Sequence, residues 1–244
     1  MNLRVALLLI FLLATLQAHA QEPTAAAAAE SVQGWSGKAT LGYLATSGNT
    51  DSSSLNSGVG VAYAVGRWIH GLELTAINAT EDEQTTAESY SAGWKSEFNL
   101  TDRDFLFGRV NWRKDRFSGY DQQLSESVGY GRRIIDTGVH FLNAEIGAGA
   151  RQADLVDGTS ESDVILRAGL NYRWQFTETA AFTQDMITES GEANTYIEST
   201  TALKASLIGD LALVASYTIK NNSEVPVGSE NTDRYTALSL EYGF

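Results

Sequence analysis

Lys95, Arg109, Arg113, Arg133, Arg151, Arg167 and Arg173 all fall on odd positions of segments that alternate polar and apolar residues, and Glu73, Glu97 and Glu145 share that phase. In an extended strand alternate side chains point to one face, so these charges line one side of whatever sheet they build. Two kinds of chemistry are open to them. Arginines and glutamates can pair across a closed interior and fill it, because a buried charge without a partner or water is costly. Alternatively, an excess of arginine can line a water-filled passage and draw anions through it. The basic excess on this wall favours a small channel, with the closed, salt-bridged interior as the alternative.

Other candidate sites have plainer roles. There is no cysteine, so thiol nucleophiles, thiolate metal sites and disulfides are absent. A Ser–His hydrolase at an outer rim needs a histidine there. His19 lies in the leader, while His70 and His140 follow short turns at the opposite end and sit on the apolar parity. The expectation is therefore a non-enzyme. The acidic stretches around Glu81, Asp154 and Glu224 lack the regular ligand spacing of a calcium loop, so no metal and no cofactor are expected. Gly48, Asn49, Thr50 and Asp51 form a "GNTD" segment that reads as a turn, since Gly and Asn tolerate positive φ and Asp or Thr cap nearby amides.

The elements that position these residues are strands. The first twenty residues, "MNLRVALLLIFLLATLQAHA", carry one charge, an apolar run and a small-x-small end. They read as a signal peptide cleaved before Gln21. Residues 21–33 are Ala-rich and read as a flexible lead. From residue 34 to 244 period two dominates, giving expected strands over 35–46, 53–65, 68–79, 88–100, 105–117, 122–135, 140–152, 162–175, 180–188, 195–207, 211–220 and 233–244. Ten or fourteen strands follow if a hairpin near 180–204 is split or merged. Short connections ("GR" at 66–67, "IGD" at 208–210) alternate with longer acidic ones ("TEDEQTTA" at 80–87, "NNSEVPVGSENT" at 221–232). With one face apolar and aromatic-ended and the other polar, this is the layout of an outer-membrane barrel with both termini at the short-turn rim. The fold class expected is all-β, a single antiparallel transmembrane barrel of twelve strands. The chain ends in strand phase on Tyr242 and Phe244, placing an aromatic in the girdle at that rim.

Three stretches carry a family resemblance: "YLATSGNTDSSSLNSG" (43–58), "RFSGYDQQLSESVGYGRRIID" (116–136) and the closing segment 200–244. Their order and spacing resemble the YdiY-like family of salt-induced outer-membrane proteins. The resemblance implies an outer-membrane barrel and a link to salt stress, and brings no catalytic residues with it. The Tyr-x-Phe ending likewise resembles the signal read by the barrel-assembly machinery. Expected partners are outer-membrane lipid, lipopolysaccharide and that machinery. Nucleic acid is disfavoured by a net charge of −13. Oligomeric state, selectivity and salt regulation are not written in the residues.

Overall fold

The computed structural model describes residues 33–46, 52–81, 84–115, 120–226 and 229–244. The expected signal peptide, most of the expected lead and the segment Gly48-Asn49-Thr50-Asp51, expected to be a turn, lie outside these described residues. The chain forms twelve strands: β1 (Gly34–Thr46), β2 (Ser52–Val65), β3 (Trp68–Glu81), β4 (Gln84–Asn99), β5 (Asp104–Asp115), β6 (Tyr120–Asp136), β7 (His140–Leu155), β8 (Ser160–Thr177), β9 (Ala180–Ser190), β10 (Thr195–Ile208), β11 (Leu211–Asn222) and β12 (Thr232–Gly243). Each pairs antiparallel with its sequence neighbours, and β12 returns to pair with β1, closing a barrel. Closure pairs the two end strands from Lys38 with Gly243 to Gly42 with Ser239, edges that an open sheet would leave bare.

The seam is tied at the chain's end. Gly37 N donates to Phe244 O (2.6 Å) and Phe244 N donates to Gly37 O (2.9 Å). The Phe244 ring lies over Gly37, so close that an added Cβ there would stand 2.5 Å from the ring. Glycine at 37 is what lets the ring lie flat on the barrel wall.

Two-residue turns close one rim, at Gly66-Arg67 and Gly209-Asp210, where both glycines take positive φ (59° and 54°) that L side chains rarely adopt. Arg67 then reaches sideways, donating from Nε and Nη2 to the carbonyls of Asn99 (2.6 Å) and Leu100 (2.7 Å), and stitches two adjacent turns together. At the other rim the strands run further than composition suggests. β3 continues to Glu81 and β4 starts at Gln84, while β7 and β8 extend through Leu155 and from Ser160. Ser, Thr and Asp in those stretches look like loop residues. Here they pair in register, as Asp154 with Ser160, and bond laterally, as Ser53 Oγ with Thr80 Oγ1 at 2.8 Å. A hairpin that projects beyond lipid is wetted on both faces, and polar strand residues suit it.

The outer face is apolar and open: Val164 is 81% exposed, and Leu166, Ile146, Val128 and Leu41 are exposed with it. Aromatics concentrate at the short-turn rim. Trp35 meets Tyr63 (4.6 Å) and Trp68 meets Phe98 (4.8 Å). His70 stacks with Trp68 and Trp94, its Nδ1 2.6 Å from Ser96 Oγ, and His140 stacks with Tyr172 and Trp174. Both histidines are thus on the outer wall at the short-turn rim, where the sequence places them.

Candidate functional site in the lumen

Register carries the charges inward. Lys95 on β4 bonds Glu145 on β7 across the interior, and that fixes the inner parity of every strand between them. Glu73, Glu97, Arg109, Arg113, Arg133, Arg151, Arg167 and Arg173 follow on that parity. The lumen is not uniform. Strands β4–β9 fill their side with two knots of ion pairs.

The lower knot is near the short-turn rim. Lys95 Nζ stands 2.7 Å from Glu97 Oε1 and also bonds Glu145, while Arg133 Nη2 lies 3.5 Å from Glu97 Oε2. These cations rest on rings. Arg133 sits 4.9 Å above Phe105, and Lys95 is 5.4 and 5.5 Å from Phe105 and Phe107. The rings fit because each faces a glycine across the β5–β6 pair, Phe105 opposite Gly131 and Phe107 opposite Gly129. Phe105 is wholly buried.

The upper knot centres on Glu189. Arg113 Nη2 is 2.6 Å from Glu189 Oε2, Arg167 Nη1 is 3.0 Å from Glu189 Oε1, and Ser125 Oγ donates to the same carboxylate at 3.2 Å. Arg113 also lies 4.0 Å over the Tyr196 ring. Beside the knot, Arg151 donates to Asp163 Oδ2 (3.2 Å) and to the carbonyl of Asn194 (2.6 Å). The knots are incompletely satisfied: Arg133 Nε, and Arg167 Nε and Nη2, are buried without a partner among the described residues.

The wall made by β10–β12 and β1–β3 is different. Its inner positions are mostly small: Thr40, Gly58, Gly60, Ala62, Gly71 and Thr75 on one side, Ala202, Ser216 and Thr218 on the other. It still carries charges of both signs: Lys38, Glu73, Glu198, Lys220 and Asp233 share the inner parity, and Lys204 Nζ stands 2.7 Å from Glu241 Oε1. Glu73 and Thr75 face inward halfway along β3 and are exposed. An added Cβ at Gly71 would meet nothing within 4 Å. A hollow of about 320 Å³ lies between β2, β3 and β12 at the long-loop end of the seam, lined by the inward Asn56, Ile77, Asp233 and Tyr235 and by the outward Leu55, Arg234 and Thr236. The interior is therefore half plug and half gap.

All ten charges expected in the lumen face it, but their states differ. Lys95, Glu97, Arg113, Arg133, Glu145, Arg151 and Arg167 belong to the plug. Arg109 donates only to Asn111 Oδ1 (3.0 Å), and Arg173 and Glu73 have no ion pair among the described residues. The carboxylates that neutralise the upper arginines, Glu189 and Asp163, are not among the charges expected in the lumen: the expected ninth strand stops at 188, and Asp163, inside the expected strand 162–175, is not counted as a lumen charge. The inner phase Asp185–Ile187–Glu189 continues the alternation by one more step and would have found the first. Tyr242 and Phe244 are half-exposed on the outer wall. Among the described residues no group of three or more His, Asp or Glu is placed to hold a metal ion.

Known proteins agree with this architecture. An Escherichia coli K12 protein described as "Uncharacterized protein YdiY" is 37% identical over 207 residues, which cover 84% of this chain and 82% of that protein. An outer membrane channel from Pseudomonas putida F1 superposes with a TM-score of 0.50 at 10% identity, over 94% of this chain and 98% of that one; at this identity the likeness is one of fold. The family model described as "Protein of unknown function, DUF481" matches residues 39–244. With nearly the whole barrel inside that match, and with YdiY as a relative, the chain belongs to the DUF481 family.

Proposed function

We propose that the protein is a narrow passive channel of the outer membrane, carrying small ions or solutes along the small-residue wall beside a salt-bridged half-plug. The observation that carries this reading is the exposure of Glu73 and Thr75, inward-facing at mid-strand, opposite Arg167 and Glu189 at 1% exposure. A lumen filled throughout would bury all four. Twelve strands leave room for such a gap, where eight would be filled by side chains. In this reading the short-turn rim is periplasmic, the apolar outer wall meets lipid, the long-loop rim meets lipopolysaccharide, and the Tyr242–Phe244 end is read by the assembly machinery. The link to salt stress rests on family resemblance and concerns when the chain is made.

The arginine wall bears less on selectivity than its count suggests, because Arg113, Arg151 and Arg167 are held by carboxylates. The inward charges that make no ion pair among the described residues are of both signs, Arg109 and Arg173 against Glu73, Asp185 and Glu198, so no strong anion bias is expected. A second reading, a non-conducting barrel that supports the envelope, draws on the density of the two knots.

Single-channel recording in planar bilayers tests the proposal. Discrete conductance steps are expected, and Gly71→Trp, which fills the gap, should suppress them. Gly108→Trp, on the lipid face with open space around it, should leave them unchanged. A correctly folded, heat-modifiable barrel that gives no steps sinks the channel reading and favours the structural one.

A further inference from the structure

The seam between β1 and β12 is closed over only part of its length. Pairing runs from Lys38 with Gly243 to Gly42 with Ser239 and stops there. Both strands continue towards the long-loop rim, each held on its far side: β1 pairs with β2 as far as Thr46, and β12 pairs with β11 back to Thr232. Residues 43–46 and 232–238 thus make no ladder with one another among the described residues. The last closed step is clamped from inside. Ser239 Oγ donates to Asn56 Oδ1 (2.7 Å) across Gly42, where an added Cβ would stand 2.5 Å from both oxygens.

The open stretch begins at lipid depth. Leu238 is 6 residues before Phe244, about 15 Å along the membrane normal for strands tilted about 40°, within an apolar band about 25 Å tall. The outer lip is apolar and exposed, with Tyr43, Leu55, Tyr217 and Leu238. Unpaired peptide groups at this depth are tolerated only where they border protein or water. Here they border the hollow of about 320 Å³, and its lining belongs to both faces of the wall: Asn56, Ile77 and Tyr235 from inside, Leu55, Arg234 and Thr236 from outside. The hollow therefore passes through the wall. Asp233 on its inner side and Arg234 on its outer side carry opposite charges.

We infer that the upper seam is a lateral port, joining the lumen to the leaflet on the long-loop side, for a small zwitterionic amphiphile. The head follows the unpaired edge of β12, where peptide groups, Asp233 and Arg234 solvate both of its charges. The tail stays against Tyr43, Leu55 and Leu238. A wholly apolar solute would leave the peptide groups unmet, and a polar solute without a tail does not enter from lipid. The port goes beyond the channel reading and needs only that the outer wall face lipid.

The chain has no cysteine, so a cross-link can close the port cleanly. Continuing the register brings Tyr43 opposite Leu238, within disulfide reach once the strands zip. Full-length barrel in phosphatidylglycerol nanodiscs is irradiated with dodecylphosphocholine carrying a diazirine beside the head or at the tail end, with a head-labelled dodecyl sulfate analogue as comparator. Labelled residues are located by mass spectrometry. The phosphocholine head probe is expected on the inward Ile77 and Tyr235, and the tail probe on outward residues such as Leu55 and Leu238. Inward labelling should be lost in oxidised Tyr43→Cys/Leu238→Cys and return on reduction. It should persist in oxidised Leu41→Cys/Leu240→Cys, a pair already opposed in the closed half. Ala237→Trp, which fills the hollow without a cross-link, should also abolish it, so this variant decides if the first pair does not oxidise. Absence of inward labelling on folded, heat-modifiable wild type overturns the port, including the case of a dimer in which a second copy covers the edge. So does inward labelling that survives the cross-link or Ala237→Trp, or equal inward labelling by the tail probe or the sulfate analogue. Labelling is read without conductance, so a labelled port without conductance steps sinks only the channel reading, and steps without inward labelling sink only the port.

Discussion

Arg167 on β8 and Glu189 on β9 stand directly opposite one another, Nη1 to Oε1 at 3.0 Å, both 1% exposed, and Arg113 approaches the same carboxylate from β5 at 2.6 Å. One anion thus holds two guanidiniums, 76 and 22 residues away in sequence, and ties β5 to β8 and β9 within the plugged arc.

That arrangement makes Glu189 the residue whose loss is felt most in the plug. Removing one partner of a buried pair leaves an uncompensated charge and costs about 3–5 kcal/mol. Glu189→Gln should lower the urea midpoint of the lipid-folded barrel by that order. Combining it with Arg167→Met should recover part of the loss, because an apolar side chain needs no counter-charge. If Glu189→Gln is neutral, water rather than the carboxylate satisfies the arginines.

Much of this was legible in the residues alone. Period two over 34–244 gives every strand, because lipid outside and polar groups inside enforce strict alternation. The lumen arginines follow from the same phase. Their partners were harder. A carboxylate such as Glu189, next to Ser190 and Gly191, looks like a turn residue until the register brings it level with Arg167. The half-filled lumen was not legible, since it depends on which arcs of a closed circle carry large side chains. Alternation says inside or outside, and not what lies across.

The Phe105–Gly131 contact is a packing constraint with a clear sign. An added Cβ at Gly131 would stand 2.1 Å from the Phe105 ring, and that ring supports Arg133 and Lys95. Gly131→Ala must displace it, and overpacking of this kind costs about 1–3 kcal/mol. Phe105→Leu in the same chain should restore part of the stability by making room. Gly108→Ala on the outer wall, with nothing within 4 Å, should cost only the small change of a surface site. Chemical denaturation of the three variants in parallel with the wild type checks the set.

Charge selectivity should follow the unpaired residues rather than the paired ones. A single free charge about 7 Å from the path of an ion in water is worth about 0.6 kcal/mol, or two- to threefold in preference. Arg109→Ala and Arg173→Ala should each move the reversal potential in a salt gradient towards cations by that order, and Glu73→Gln should move it towards anions. Arg167→Ala is expected to act mainly by loosening the plug, raising conductance noise. Reversal potentials that respond to none of the first three place the conduction path elsewhere.

Phe244 separates stability from assembly. Its backbone closes the seam to Gly37 with two hydrogen bonds, which any residue could make, while its ring adds only contact with the Gly37 surface and is 50% exposed. Phe244→Ala should therefore refold in lipid vesicles nearly as well as the wild type, with a loss of about 1 kcal/mol or less for a half-buried ring. Deleting residue 244 removes the two bonds as well and should lower the unfolding midpoint further. In cells the order differs. If the terminal aromatic is what the assembly machinery reads, Phe244→Ala should reduce the amount inserted in the outer membrane severalfold, despite its near-normal stability in vitro. Equal outer-membrane levels for Phe244→Ala and wild type would show that the ring serves only the girdle.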